Sequence, residues 1–147
     1  MKTTSFELSK KIKELGIRHD TYFVWCKAAG DSNSEPYIIS FDELARTRGR
    51  HDAICVACTL DELLEMLPWT LYLNGIAYYV SIDKCQPSKG YKCAYFEGLD
   101  HYNPDDQNNT DFRTLTKPKI SHNCAEAAGE LLCWCVENGY VKIGESC

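Results

Sequence analysis

The chain lacks the motifs that most directly name a function. It has no Gly-rich phosphate loop, no histidine pair at metalloprotease spacing and no serine or cysteine in a nucleophile elbow, and His19, His51, His101 and His122 are dispersed. These absences argue against an enzyme and against a bound cofactor. No apolar run approaches the roughly 20 residues of a membrane span, and Met1-Lys2-Thr3-Thr4 lacks the apolar stretch of a signal peptide. A cytoplasmic protein is the expectation. Positive charge is scarce as well: 16 Lys and Arg against 21 Asp and Glu give a net charge of −5. That balance argues against non-specific binding to nucleic acid or anionic membranes, although a local basic patch overrides it where one exists.

Cysteine is the residue in excess, nine among 147 residues. Without a secretory signal the oxidising context for disulfides is missing, so reduced and mostly buried thiols are expected. The length suits one domain, residues 1–147, able to bury a core without disulfide or metal staples.

Local order is most legible between Thr59 and Ile82. Thr59-Leu-Asp-Glu62 is a capping box and starts a helix that Pro68 ends after about two turns. Two β-rich runs follow, Trp69 to Leu73 and Ile76 to Ile82, joined only by Asn74-Gly75, the dipeptide suited to a type I′ turn. The two-residue loop sets the register and pairs Leu73 with Ile76, Leu71 with Tyr78 and Trp69 with Val80 on a face expected to be core. Thr70, Tyr72, Ala77, Tyr79 and Ser81 form the other face, fit to cover a second layer or hold a flat ligand.

Elsewhere, Thr4-Ser-Phe-Glu7 reads as a capping box for a helix with Leu8, Ile12 and Leu15 on its apolar side, stopped by Gly16. Thr21 to Cys26, Tyr37 to Ile39, Ala53 to Ala57 and Tyr91 to Glu97 read as strands, and Ser40-Phe-Asp-Glu43 caps a brief helix. Asn123-Cys-Ala-Glu126 opens the last helix, which runs to Asn138 before Gly139. The polar segment from Gly98 to Lys119 is too long for a neutral connection and suggests a lid or partner-binding loop. Tyr140 to Ile143 is a terminal strand or tail. The pattern implies an α+β fold: a mainly antiparallel sheet of about five to six strands, with two to three helices packed on one face.

Three pieces carry a resemblance: Ser5 to Gly16 with the aromatic strand through Trp25, Thr59 to Pro68, and Ala125-Glu-Ala through Glu137-Asn138-Gly139. Together they resemble small uncharacterised proteins of phages and mobile elements in gut bacteria. These motifs are caps and core stripes, so the resemblance brings no catalytic residues with it. It implies phage-type biology, in which some small proteins sequester nucleotide immune signals.

Several constellations are able to carry chemistry. Arg46, Arg48, Arg50 and His51 concentrate donors in one loop, with Gly49 permitting close approach, and Arg forks suit phosphate. The alternative is a solvated loop neutralised by Asp42, Glu43 and Asp52. Trp25, Tyr72, Tyr79 and Tyr95 are candidates for stacking on a base, with core packing or sheet cover as the alternative. His101-Tyr102 is able to close over a ligand, with a mobile exposed loop as the alternative. Cys55-Val-Ala-Cys58 has zinc or redox spacing, but a zinc site needs two more ligands. Cys133 and Cys135 are poor ones, since i and i+2 on a helix point about 200° apart.

The reading that follows is a non-catalytic phage-type protein that sequesters a small phosphate-bearing, nucleotide-like immune signal. Its ligand-binding residues are Trp25, Arg46, Arg48, Arg50, His51, Tyr72 and Tyr79, and a homo-oligomer is expected. Alternatives are a protein-binding inhibitor or adaptor, and a small zinc or redox protein using Cys55 and Cys58.

Overall fold

In the computed structural model, residues 2–85, 90–97, 115 and 117–141 are described. The chain is α+β, with two antiparallel sheets where one was expected. In chain order the elements are α1 (Phe6–Glu14), β1 (Phe23–Ala28), β2 (Tyr37–Ser40), α2 (Phe41–Arg46), β3 (His51–Ala57) and α3 (Leu60–Met66), then β4 (Thr70–Leu73), β5 (Ile76–Cys85), β6 (Gly90–Glu97), β7 (Lys119–Ser121) and α4 (Cys124–Glu137). The first sheet has the order β2-β1-β3 and the second β4-β5-β6-β7. The count of elements was read nearly correctly. The split was not, because α3 carries the chain from one sheet to the other and helix caps say nothing about which strands pair.

The helices fill the space that joins the sheets. α1 packs on β3, α4 packs on β6 and β7, and α4 also meets α1 and α3. One core results, in which Leu8 and Ile12 of α1 and Leu63 and Leu67 at α3 meet Leu131 and Leu132 of α4, with Tyr78 and Tyr95 from the second sheet. Gly129 allows the α1 crossing, since a Cβ there would stand 2.8 Å from a Leu8 methyl and 3.0 Å from a Thr4 methyl.

The caps refine the sequence reading. Thr59 accepts from the Glu62 N–H while the Glu62 carboxylate accepts from the Thr59 N–H at 2.8 Å, so that capping box is complete. At α1 the cap is Ser5, which accepts from Leu8 N–H, one residue later than the Thr4 box implied. Thr4 is instead fully buried and bonds Ser9 and the Cys58 N–H. At α4 Asn123 caps Ala125, while Glu126 reaches across to Ser5 rather than back to its own cap.

The hairpin register is as expected: Leu73 faces Ile76, Leu71 faces Tyr78, and Val80 donates to the Trp69 carbonyl. Asn74 and Gly75 both have positive φ, 53° and 80°, as a type I′ turn requires. Burial departs from expectation at the tip and at the entry. Leu71 and Tyr78 are core, whereas Trp69 is 81% exposed and Leu73 37%. Among the described residues β4 is an edge strand, and none of their elements covers its ends on the side the apolar alternation assigned to the core.

Most of 98–119 lies outside the described residues, as do His101-Tyr102, residues 86–89 and residues 142–147. The C-terminal end of the 98–119 segment does contribute Lys119 to β7, which pairs with Tyr91, Lys92 and Cys93 of β6.

Candidate functional site

The basic loop becomes a defined turn at one end of the first sheet. Ser40 caps α2 and accepts from the Glu43 N–H, which starts a helix too short to bury any residue. It stops at Thr47, whose N–H and hydroxyl both donate to the Glu43 carbonyl, at 3.0 and 2.7 Å. The chain then reverses through Arg48 and Gly49, closed by the Arg50 N–H donating to the Thr47 carbonyl at 3.2 Å. Gly49 has φ +84°, the value needed at the third position of a type II turn. β3 leaves at His51, held against Ala28 of β1.

Among the described residues, the guanidinium groups of Arg46, Arg48 and Arg50 make no hydrogen bond or ion pair. The carboxylates expected to neutralise them are engaged or placed elsewhere. Asp52 accepts from the Gly30 N–H at 3.1 Å, and Asp42 and Glu43 sit in the first turn of α2, at the opposite end of the helix from Arg46. Arg46 itself lies at the negative end of α2, so part of its charge complements the helix dipole. Arg48 and Arg50, both exposed, are the freer forks.

His51 is oriented by a residue that sequence reasoning missed. Tyr37 of β2 and His51 of β3 flank β1 and meet over it, with the Tyr37 hydroxyl bonded to His51 Nδ1 and the rings edge to face at 5.5 Å. Burial raises the Tyr37 hydroxyl pKa, helped by Cys26 and by the carboxylates of Asp52 and Glu43. A phenol hydroxyl both donates and accepts, so the bond serves either His51 tautomer, and what it fixes is the orientation of the imidazole ring at the base of the arginine turn. Tyr37 stands fourteen residues from His51 in sequence. Only the order β2-β1-β3 brings the two together, and no motif announces it.

The stacking residues are dispersed. Trp25 faces α1, where its Nε1–H donates to the Thr4 carbonyl at 3.2 Å and its ring meets Phe6 edge-on at 5.6 Å. It alternates with Cys26, which pairs with Tyr37, so Trp25 and the Tyr37–His51 pair lie on opposite faces of the first sheet. Tyr95 has no exposed surface and donates its hydroxyl to the Pro68 carbonyl at 2.6 Å. Tyr72 and Tyr79, 75% and 46% exposed, lie diagonally on the outer face of the second sheet. The structure therefore groups Arg46, Arg48, Arg50 and His51, adds Tyr37, and separates Trp25, Tyr72 and Tyr79 from them.

Cys55 and Cys58 are both buried, and among the described residues no three His, Cys, Asp or Glu side chains gather to hold a metal. Burial raises the Cys55 thiol and pushes Cys58 up to about 12, with the Glu62 carboxylate adding to the latter. Cys93 is pushed to about 12 and Cys133 and Cys135 to about 11, also chiefly by burial. At pH 8 a thiol of pKa near 12 is ionised in roughly one molecule in ten thousand, and the thiolate is the nucleophile. Ellman's reagent added to the folded protein is expected to leave Cys26, Cys55, Cys58, Cys93, Cys133 and Cys135 unlabelled until denaturant is added. Fast labelling at Cys55 or Cys58 would favour the redox reading.

No protein-family model, no curated protein and no solved structure matches this chain.

Proposed function

We propose that the protein binds a small phosphate-bearing ligand, without chemistry, on the turn formed by Arg48, Arg50 and His51, with Arg46 at its margin. The observation that supports this reading is a set of guanidinium groups without partners among the described residues, beside an imidazole oriented by Tyr37. Guanidinium forks are donors only, so an anion with several oxygens is the complementary ligand. The resemblance to phage and mobile-element proteins makes a nucleotide-derived host immune signal the biological candidate, sequestered in the cytoplasm of a bacterial cell. With Trp25, Tyr72 and Tyr79 on other surfaces, the base of such a ligand would be held weakly in one chain and the phosphates would carry the affinity.

Titration calorimetry with ADP, ADP-ribose, cyclic nucleotides, pyrophosphate and adenosine tests this. The phosphate compounds are expected to bind and adenosine to fail. Each hydrogen bond to a charged group contributes about 1.5–3 kcal/mol, so Arg48→Ala with Arg50→Ala should weaken binding at least roughly 100-fold. Binding that is equally strong to adenosine, or that survives both substitutions, would remove the proposal.

The adaptor reading draws on the exposed Trp69, Tyr72 and Tyr79. It requires that a host protein be retained by wild type and lost from a variant with those three residues replaced by serine.

A further inference from the structure

The edges of the two sheets differ in how they are protected. β3 is guarded: Lys13 donates to the Ile54 carbonyl at 2.7 Å, and Thr3 bridges Thr59 just beyond the strand. β2 is entered from Glu35-Pro36 and turns at once into α2, both common ways of blunting an edge. β4 is entered from Pro68-Trp69 but, among the described residues, carries no guarding side chain and does not turn into a helix. From Trp69 to Ile82 no residue is charged, although a quarter of the chain is.

The hairpin geometry says which β4 groups are unpaired among the described residues. A two-residue loop makes Leu73 and Ile76 a hydrogen-bonded pair, and alternation then makes Leu71 with Tyr78 the next, continued by the Val80 N–H donating to the Trp69 carbonyl. Thr70 and Tyr72 therefore turn their N–H and C=O groups away from β5, towards the free edge. These outward groups are spaced to pair with themselves. If two copies of β4 meet antiparallel about a two-fold axis at Leu71, Thr70 faces the partner's Tyr72 and each exchanges N–H and C=O with the other, satisfying every outward group.

The same register accounts for the burial anomaly in the hairpin. An axis at Leu71 also sets Trp69 opposite the partner's Leu73. These are the two inner-face residues that the single chain leaves exposed, at 81% and 37%. Each would cover the other as a cross-strand aromatic–aliphatic pair. The absence of charge matters here, because two copies that each carry −5 overall would meet along a strand that adds no repulsion.

We infer that β4 is a homodimerisation edge, joining two four-stranded sheets into one continuous sheet by antiparallel β4–β4 pairing centred on Leu71. The occupant is a second copy of this chain because the register satisfies hydrogen bonds and covers apolar surface reciprocally. A foreign peptide would have to supply the leucine that this chain already carries at position 73.

Native mass spectrometry and analytical ultracentrifugation of the full chain across micromolar concentrations test the inference. The expected mass is twice 16.7 kDa. Tyr72→Pro removes an N–H that the β4–β5 ladder does not use, which edge strands tolerate, so far-UV circular dichroism should be unchanged while the dimer constant weakens about 100-fold through the two bonds lost per dimer. Thr70→Pro removes the other outward N–H and provides a second variant if the first misfolds. The fluorescence difference between wild type and Trp69→Phe should shift to shorter wavelength as the dimer forms. A chain that stays monomeric throughout, a dimer that persists with unchanged constant in both folded proline variants, or a Trp69 signal independent of concentration would overturn the inference.

Discussion

Gly90→Ala is expected to be among the most destabilising single-methyl additions to the protein, costing about 3 kcal/mol or more and lowering Tm by roughly 10 °C. Gly90 opens β6 with φ +93°, a backbone conformation that disfavours any side chain. A Cβ there would stand 2.2 Å from the Ser121 carbonyl oxygen and 2.6 Å from the His122 Cα. Both atoms are backbone, so relief requires β7 to move off β6. That movement would disturb the Asn123 cap that starts α4, because Asn123 accepts from Ala125 and its N–H donates to the Ser121 hydroxyl. Gly75→Ala separates the two contributions. Its φ is +80° but nothing lies within 4 Å of the added carbon, so it bears only the dihedral cost of about 1–2 kcal/mol. Equal losses of urea stability in the two variants would show that the β6–β7 contact is not as close as described.

Glu62→Ala is expected to cost about 3 kcal/mol, through unmade bonds rather than lost packing. Glu62 is 5% exposed, and its carboxylate accepts from the Thr59 N–H and the Thr59 hydroxyl, both at 2.8 Å, and from the Tyr22 N–H at 3.1 Å. The first two close the capping box; the third ties the entry of β1 to α3. Truncation to alanine orphans two backbone donors in a site that is mostly shielded from water. Glu62→Gln keeps the oxygen facing Thr59 but sets an NH₂ group against the Tyr22 N–H, so an intermediate loss is expected. Chemical denaturation of the three proteins should rank them wild type, glutamine, alanine. A glutamine variant as stable as wild type would show that the Tyr22 bond contributes nothing.

Glu62 also illustrates what a sequence conveys and what it withholds. Thr59-Leu-Asp-Glu62 is a local pattern, and its capping box forms as read. The bond to Tyr22 spans forty residues and has no local signature. The hairpin register was legible for the same reason, since a two-residue loop allows one pairing. The exposure of Trp69 was not, because alternation shows which residues share a face and is silent on whether a helix covers that face at the strand's ends. At the candidate site the four cationic donors were legible as a run. Tyr37, which orients His51, needed the order of three strands, and the removal of Trp25 needed the knowledge that α1 rather than solvent lies over that side of β1. The stacking candidates were legible as residue types, and their placement on separate surfaces was not, because it depends on which strands pair.

The reading of the arginine turn as a phosphate site is tested most directly by amide and imidazole shifts in a ¹H–¹⁵N titration of the full chain with ADP. The account predicts that the Arg48, Gly49 and Arg50 amides, the arginine Nε–H signals and the His51 imidazole signals move together and saturate, with Tyr72 and Tyr79 unmoved. Saturable shifts confined to Tyr72, Tyr79 and the β4–β5 hairpin, or no saturable shift at millimolar ADP, would contradict it.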